Sequence, residues 1–294
     1  MGDFDPRYGE AVEVAEGIAR VTAPNGGPFT GAGTNTFLLG CERLMVVDPG
    51  PALPSHVDAV IAAIAGRPVS HILVTHTHLD HVGALPALNA VLRAPVVAEG
   101  PHRNARPLRP GETNPFLGSA DTTFAPDLRV ADGEVVDNAD VSVTAIATPG
   151  HTANHLCFSV GDHCLSGDHV MGWSTTVIAP PDGAMRPYLA SLERLLEVPA
   201  RRLLPAHGGP VDDPKRTVTA MRSHRLMRER AILDRLLAGE ATIEEIVAAL
   251  YQGIDPRLAG AAALSVLAHL EKLEEEGRVA AEGVARTARW RALT

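Results

Sequence analysis

The chain has 294 residues, of which 45% are apolar, and carries a formal net charge of -9 at pH 7. That size and apolar content allow one large domain, or one domain plus a smaller one, and leave no segment with the composition of a disordered tract. The acidic balance argues against general duplex binding, which rests on phosphate neutralisation. No run of about 18 apolar residues is present to span a bilayer.

The opening residues, MGDFDPRYGE, lack the apolar stretch of a signal peptide. Cys41, Cys157 and Cys164 are odd in number and show no CxxC spacing, so they read as reduced thiols. Both features lead us to expect a cytoplasmic protein with no membrane partner.

Along the chain, short β-rich runs come first: GIARVTAP, NTFLLG, RLMVVDPG, HILVTH, APVVAEG, VSVTAIATPG, HLCFSV and HCLSGD. Each is bounded by Gly, Pro, Asn or Asp, as strands are. Helices are expected at about 55–65, 82–92 and 185–196, the last two from apolar residues at helical spacing. Strands and helices alternate loosely, which suggests an α/β protein without strict βαβ repetition. The stretch NGGPFTGAGT ahead of NTFLLG reads as a tight turn, with Phe29 a candidate to cover a bound substrate. Residues 100–128 are rich in Pro, Gly and Asn. A loop that long inside a compact domain is usually functional, so a lid or substrate-facing loop is expected.

The pattern changes near GGPVDDPKRT at 208–217. Beyond it lie three helical stretches, the second opened by a capping-box pattern at Thr242 and Glu245 and the third closed by Gly277. The chain finishes in RVAAEGVARTARWRAL, two short extended runs around a turn. Helices followed by a hairpin is the order of a winged helix. The expected division is 1–212 and 213–294.

The densest chemistry is HILVTHTHLDHVGAL, which begins at His71. His76 ends the apolar strand, His78 points to the same side two extended residues later, and Asp80 and His81 follow as a helix begins. Three further strands end in candidate ligands: VTAIATPGH in His151, HCLSGD in Asp168 and RRLLPAHG in His207. Strand ends on one edge of a sheet assembly can converge. Five imidazoles and two carboxylates without cysteine suit Zn2+ at about 2.0–2.2 Å, although iron or manganese accepts the same donors. Seven ligands exceed one tetrahedral ion, so two metals are expected.

The segments THTHLDH, TPGHT, SGDHV and PAHG resemble, in order and spacing, the metallo-β-lactamase-fold hydrolases, over about 14–210. TVIAPPDGAMRPYLASLERLL, the pair His224 and Arg225, and DPRLAGAAALSVLAHLEKLEEEGRV resemble the β-lactamase-like protein 2 group, which adds a C-terminal winged helix. The resemblance implies an αββα sandwich with its metals at one edge. It implies one metal on His76, His78 and His151, the other on Asp80, His81 and His207, and Asp168 bridging them.

Two zinc ions about 3.5–4 Å apart lower the pKa of a bridging water from 15.7 toward ~7, which makes the expected reaction a hydrolysis. Asp80 is expected to orient the nucleophile or pass a proton. The expected substrate is a thioester or ester of a small molecule; the alternative is single-stranded RNA, cleaved as by an endoribonuclease. β-Lactam hydrolysis is a minor alternative, since the resemblance places Asp168 with other branches. The RNA reading would use Arg201, Arg202 and the basic run at 215–230, which otherwise forms a solvated helix face. With aromatics at only 4%, stacking platforms for unpaired bases are scarce.

His169, directly after Asp168, is expected to line the pocket as a further catalytic residue. His155 has either a ligand-orienting or a plain structural role. Asp48 is expected to accept hydrogen bonds from the loop around His76, and Trp173 and Tyr188 are candidates for the pocket wall. The helix in PRLAGAAALSVLAHLEKLEEEG is rich in Ala and Glu, so we expect it to pack, shape the substrate entrance or form a homodimer rather than read DNA.

Overall fold

The computed structural model describes residues 4–283 and 288–293. Its strands sort their side chains with period two. In β3 (Asn35–Leu39) and β4 (Leu44–Val47), Phe37, Leu39, Met45 and Val47 enter one apolar cluster, while Leu38, Leu44 and Val46 enter another. These strands are buried on both faces, and they need cover on both.

The cover on one side is a second sheet. The first sheet runs β1 (Ala11–Ala15), β2 (Ile18–Thr22), β3, β4, β5 (Val69–Leu73), β6 (Val96–Ala98) and β7 (Leu128–Arg129), each beside the next. Pairing is antiparallel as far as β4 and parallel from β4 onward. The second sheet has the order β12-β11-β10-β9-β8, from β8 (Val135–Asp137), β9 (Ser142–Ala147), β10 (Leu156–Val160), β11 (His163–Gly167) and β12 (Arg202–Pro205). Only its β11–β12 pair is parallel. Phe37, Val47 and Leu73 of one sheet meet Val143, Phe158 and Leu165 of the other in the central core.

Helices close the outside. α1 (Pro54–Ile64) and α3 (Leu85–Leu92) lay Val60, Ile64 and Leu88 on the first sheet. α4 (Met185–Leu195) lays Tyr188, Leu189 and Leu192 on the second. The result is the expected αββα sandwich.

The helix expected at 82–92 is two pieces, α2 (Leu79–Val82) and α3. Pro86 has no N–H to continue a helix, and the Ala84 N–H turns aside to donate to the Gly50 carbonyl at 2.8 Å. Strands β1, β7 and β8 were not foreseen. β7 and β8 are three residues or fewer, too short for a periodic signal.

After residue 213, α5 (Pro214–Leu237) runs between two cores. Val218 and Met221 pack on the outer layer of the second sheet. Ile232, Leu233 and Leu236 enter a separate cluster with α6 (Ile243–Leu250), α7 (Ala259–Glu275), β13 (Val279–Glu282) and β14 (Arg289–Ala292), around the buried Trp290. The capping box forms: Glu245 N–H donates to Thr242 Oγ1, and Thr242 N–H to Glu245 Oε2 at 2.8 Å. The turn expected between the last two strands falls at 284–287, outside the described residues.

α7 is buried along most of its length and packs against α4 as well as α5 and α6. The long loop at 100–128 is strapped to it. Arg106 binds Glu112 and Glu271 with both edges of its guanidinium, and Arg109 Nη2 reaches Glu274 Oε2 at 2.6 Å. Among the described residues, no helix is long and apolar enough to cross a membrane.

Candidate metal centre

All seven expected ligands meet at one edge of the sandwich. β5 delivers His76 and His78, α2 carries Asp80 and His81, and His151, Asp168 and His207 follow β9, β11 and β12. His151 depends on the turn before it. Gly150 has φ +150°, and a Cβ there would lie 2.4 Å from Tyr188 Cα, so only glycine lets the chain pass this close to α4.

The donor atoms fall into overlapping sets. Those of His76, His78 and His151, of His76, His81 and Asp168, and of Asp80, His81 and His207 each lie within 4.8 Å of one another. His78 Nδ1 sits 3.0 Å from His76 Nε2 and 3.1 Å from His151 Nε2. On the other side, His207 Nε2 is 3.2 Å from Asp168 Oδ1 and 3.3 Å from Asp80 Oδ2. His81 Nε2 lies 3.4 Å from Asp168 Oδ1, and His151 Nε2 lies 3.5 Å from Asp168 Oδ2. Asp168 thus reaches both sets.

Outer hydrogen bonds settle which nitrogen each ring presents. His151 Nδ1–H donates to the Val177 carbonyl at 2.8 Å and His207 Nδ1–H to the Gly33 carbonyl at 3.1 Å. His81 Nδ1–H donates to Asp48 Oδ2 at 2.9 Å. The Thr75 hydroxyl gives its own proton to Asp48 at 2.8 Å, so its oxygen accepts from His76 Nδ1–H at 3.1 Å. These four rings all aim Nε2 inward. His78 is reversed: its Nδ1 faces the cluster, and its Nε2 looks outward to Asp182 Oδ2 at 4.0 Å.

Charge is distributed unequally over the cluster. Burial, reinforced by neighbouring imidazoles, pushes His76 down and takes His151 to about 4. Burial would also lower His81 and His207, but the Asp80 and Asp168 carboxylates outweigh it and raise both, His207 to about 10. The same imidazoles overcome burial at Asp80 and Asp168 and hold both carboxylates below their usual range. Three lone pairs converging at about 3 Å cannot satisfy one another, and His81 Nε2 and Asp168 Oδ1 are buried without a hydrogen-bond partner. An unsatisfied buried group costs about 1–3 kcal/mol. The donor set therefore fits a pair of divalent cations, which would satisfy every inward atom at once.

A cleft of about 140 Å³ opens in front of the cluster, walled by Phe29, Phe116, Ser119, Met171 and Val177. Among the described residues, no Lys or Arg lines it. Phe29 from the Gly-rich turn and Phe116 from the 100–128 loop meet edge-to-face, 6.2 Å apart. The loop thus contributes Phe116 and Ser119 to the cleft wall while strapped to α7.

Several expected neighbours sit elsewhere. His169 is fully buried behind the cluster, its ring against Tyr188 and neither ring nitrogen bonded. Burial pushes its imidazole down to about 3. It does not line the cleft, which corrects the expectation drawn from its adjacency to Asp168: successive side chains at a strand end diverge. Tyr188 is likewise buried, donating to the His169 carbonyl at 3.2 Å. His155 accepts from Asp168 N–H at 3.1 Å and contacts Thr148 Oγ1 at 2.8 Å, so it helps to fix the Asp168 backbone. Asp182 was missed. It faces His78 and His102 and accepts from Asn114 Nδ2 at 2.6 Å, and only the turn-like PPDG hinted at it.

Fold and site together define a metal-binding hydrolase of the metallo-beta-lactamase superfamily. The profile of that superfamily matches residues 29–207, and the chain belongs to it. A second profile, the beta-lactamase associated winged helix domain, matches 242–290, so α5 lies between the two. A beta-lactamase-like protein 2 homolog from Drosophila melanogaster is 28% identical, covering 89% of this chain and 89% of its own. An atrochrysone carboxyl ACP thioesterase from a Cryptosporiopsis species is 25% identical, covering 94% of this chain and 85% of its own. The crystal structure of a beta-lactamase domain protein from Burkholderia ambifaria has the same fold, with a TM-score of 0.82 at 21% identity over 99% of this chain and 96% of that one.

Proposed function

We propose that the chain hydrolyses a thioester or ester of a small molecule, adding water across the acyl bond to give a carboxylic acid and a free thiol or alcohol. His76, His78 and His151 would hold one divalent cation, Asp80, His81 and His207 a second, with Asp168 shared. Zinc suits this nitrogen and oxygen set, and iron or manganese takes the same donors. When bound, such ions make hydroxide available at neutral pH and take up negative charge developing on a carbonyl oxygen.

The chain's own groups supply the rest. Asp80 Oδ2 accepts from Thr34 Oγ1 at 3.4 Å and borders the cleft. At that position it would be placed to receive a proton from the attacking water or pass one to the leaving group. Phe29, Phe116, Met171 and Val177 would flank the reacting carbonyl with apolar surface.

The observation that carries this reading is the cleft lining: outside the candidate ligands it is Phe29, Phe116, Met171 and Val177 with the hydroxyls of Thr30, Ser119 and Thr176, and without Lys or Arg among the described residues, which suits an uncharged acyl group better than a phosphodiester. The basic run of α5 is largely engaged elsewhere. Arg222 pairs with Glu193, Arg230 with Asp234, and Arg228 donates to the Leu250 carbonyl. The thioesterase among the relatives supports the same reaction class.

The test pairs acyl-thioester hydrolysis with cleavage of unstructured RNA on metal-replete protein, with chelator-treated protein and Asp80→Ala as controls. Thioester turnover lost in both controls is expected. RNA cleavage lost in both controls, without thioester turnover, would replace this reading with the endoribonuclease one.

A further inference from the structure

Beside the metal-site cleft lies a larger cavity of about 540 Å³. The two spaces share Phe29, Met171, Thr176 and Val177 as lining. The remaining walls come from parts of the chain far apart in sequence. The Gly-rich turn and Trp173 form one side, and Ile254, Leu258, Ala261 and Ala262 of the C-terminal domain form the other. Neither domain makes this space alone.

Three features mark it as a built compartment. Its volume falls in the range that encloses small ligands, about 300–1,000 Å³. More than half of its lining is apolar, aromatic or glycine, with His224, Arg225, Asp255 and Arg257 as the ionisable part of the wall, and α7 presents alanines where larger side chains would fill the space. Its walls are also tied together: Arg225, buried on α5, donates from Nη1 to Ser265 Oγ of α7 at 3.2 Å and from Nη2 to the Thr176 carbonyl. Thr176 Oγ1 in turn lies 3.2 Å from His151 Nδ1. One guanidinium therefore locks the C-terminal domain to the segment that orients a candidate ligand.

We propose that this interdomain cavity is the acyl-binding compartment of the enzyme, taking an apolar acyl chain or ring whose scissile carbonyl sits at the metal cluster. This rests on the thioester or ester reading above. The acyl group passes Phe29 and Met171 into the cavity, and the leaving group departs on the Phe116 and Ser119 side. The winged helix is then a specificity element: it sets which acyl group fits, and α7 serves the substrate from the position where a groove-reading helix would serve DNA.

The experiment uses metal-loaded protein and N-acetylcysteamine thioesters of acetate, hexanoate, decanoate and 2-naphthoate. Calorimetry of the four free acids runs in parallel. Ala261→Trp and Ile254→Trp, on different elements, each narrow the cavity, and unchanged metal content and circular dichroism report their folding. The decanoyl-to-acetyl ratio of kcat/KM is expected to be at least tenfold in the parent and to fall at least tenfold in either folded variant. Decanoate and 2-naphthoate binding should weaken in step. A parent without length preference, or folded variants that keep it, would overturn the compartment. Length-dependent acid binding that the variants abolish, with no thioester turnover, would support the compartment and sink the hydrolysis reading.

Discussion

His81 Nδ1 donates to Asp48 Oδ2 across 2.9 Å, and that carboxylate also accepts from Thr75 N–H and Thr75 Oγ1, both at 2.8 Å. Through Thr75 it governs His76 as well. A single buried aspartate thus sets the inward nitrogen of two rings of the cluster, His81 and His76.

Asp48→Asn should therefore weaken metal binding about 10–100-fold, the usual cost of losing an outer partner. An amide presents one acceptor and one donor edge, so it cannot serve both His81 and Thr75. Metal retention against a graded chelator measures this. Retention equal to the parent would remove Asp48 from the positioning role.

Gly150→Ala should cost about 2–4 kcal/mol, as strain at a special backbone position does. The new Cβ would meet Tyr188 Cα at 2.4 Å and Tyr188 Cβ at 2.5 Å, and α4 backbone cannot swing aside. His151 is the next residue, so metal content should fall together with stability. Gly118→Ala, at an open site, is the control and should shift a urea midpoint little.

Arg106→Ala should release the strap between the 100–128 loop and α7. Burial raises the Glu271 carboxyl even with Arg106 beside it, so removing the guanidinium leaves a buried acid without its main partner. A loss of about 2 kcal/mol and faster proteolytic cutting within 100–128 are expected. Arg106→Lys should restore only part, because an ammonium cannot bind Glu112 and Glu271 with two planar edges. Cleavage rates that match the parent in both variants would show the strap to be inconsequential.

His56 predicts part of the acid sensitivity. Burial pushes its imidazole down to about 4 from 6.5, with Nε2–H donating to Thr36 Oγ1 at 2.9 Å. The unfolded chain takes up a proton near pH 6.5 and the folded one only near pH 4, so this contribution to stability is complete above pH 6.5 and is lost as pH falls toward 4. The shift corresponds to about 3 kcal/mol. His56→Gln removes the titration, so its stability difference between pH 7.5 and pH 4.5 should be smaller than the parent's by roughly that amount. Equal differences would show that His56 charges freely in the folded state.

The seven candidate ligand positions were legible because each follows a short apolar run that ends in a turn, a pattern written in consecutive residues. The sheets' double burial was legible in runs such as LMVV for the same reason. Asp182 was not, because nothing near His78 in sequence indicates that residue 182 returns to face its outer nitrogen. His169 misled for the converse reason: neighbours in sequence leave a strand end in different directions, and His169 went to Tyr188.

The sequence by itself therefore determined what depends on local rules: strand ends with their candidate ligands, the capping box at Thr242 and Glu245, and the order of helices and hairpin behind the hydrolase domain. Only the tertiary structure decided what depends on closure between distant segments. Asp48 reaching His81, Arg106 reaching Glu271 and Arg225 reaching both Thr176 and Ser265 are such closures. Their distances depend on how two sheets, α5 and α7 pack, and packing is a property of the whole chain that no window of residues contains.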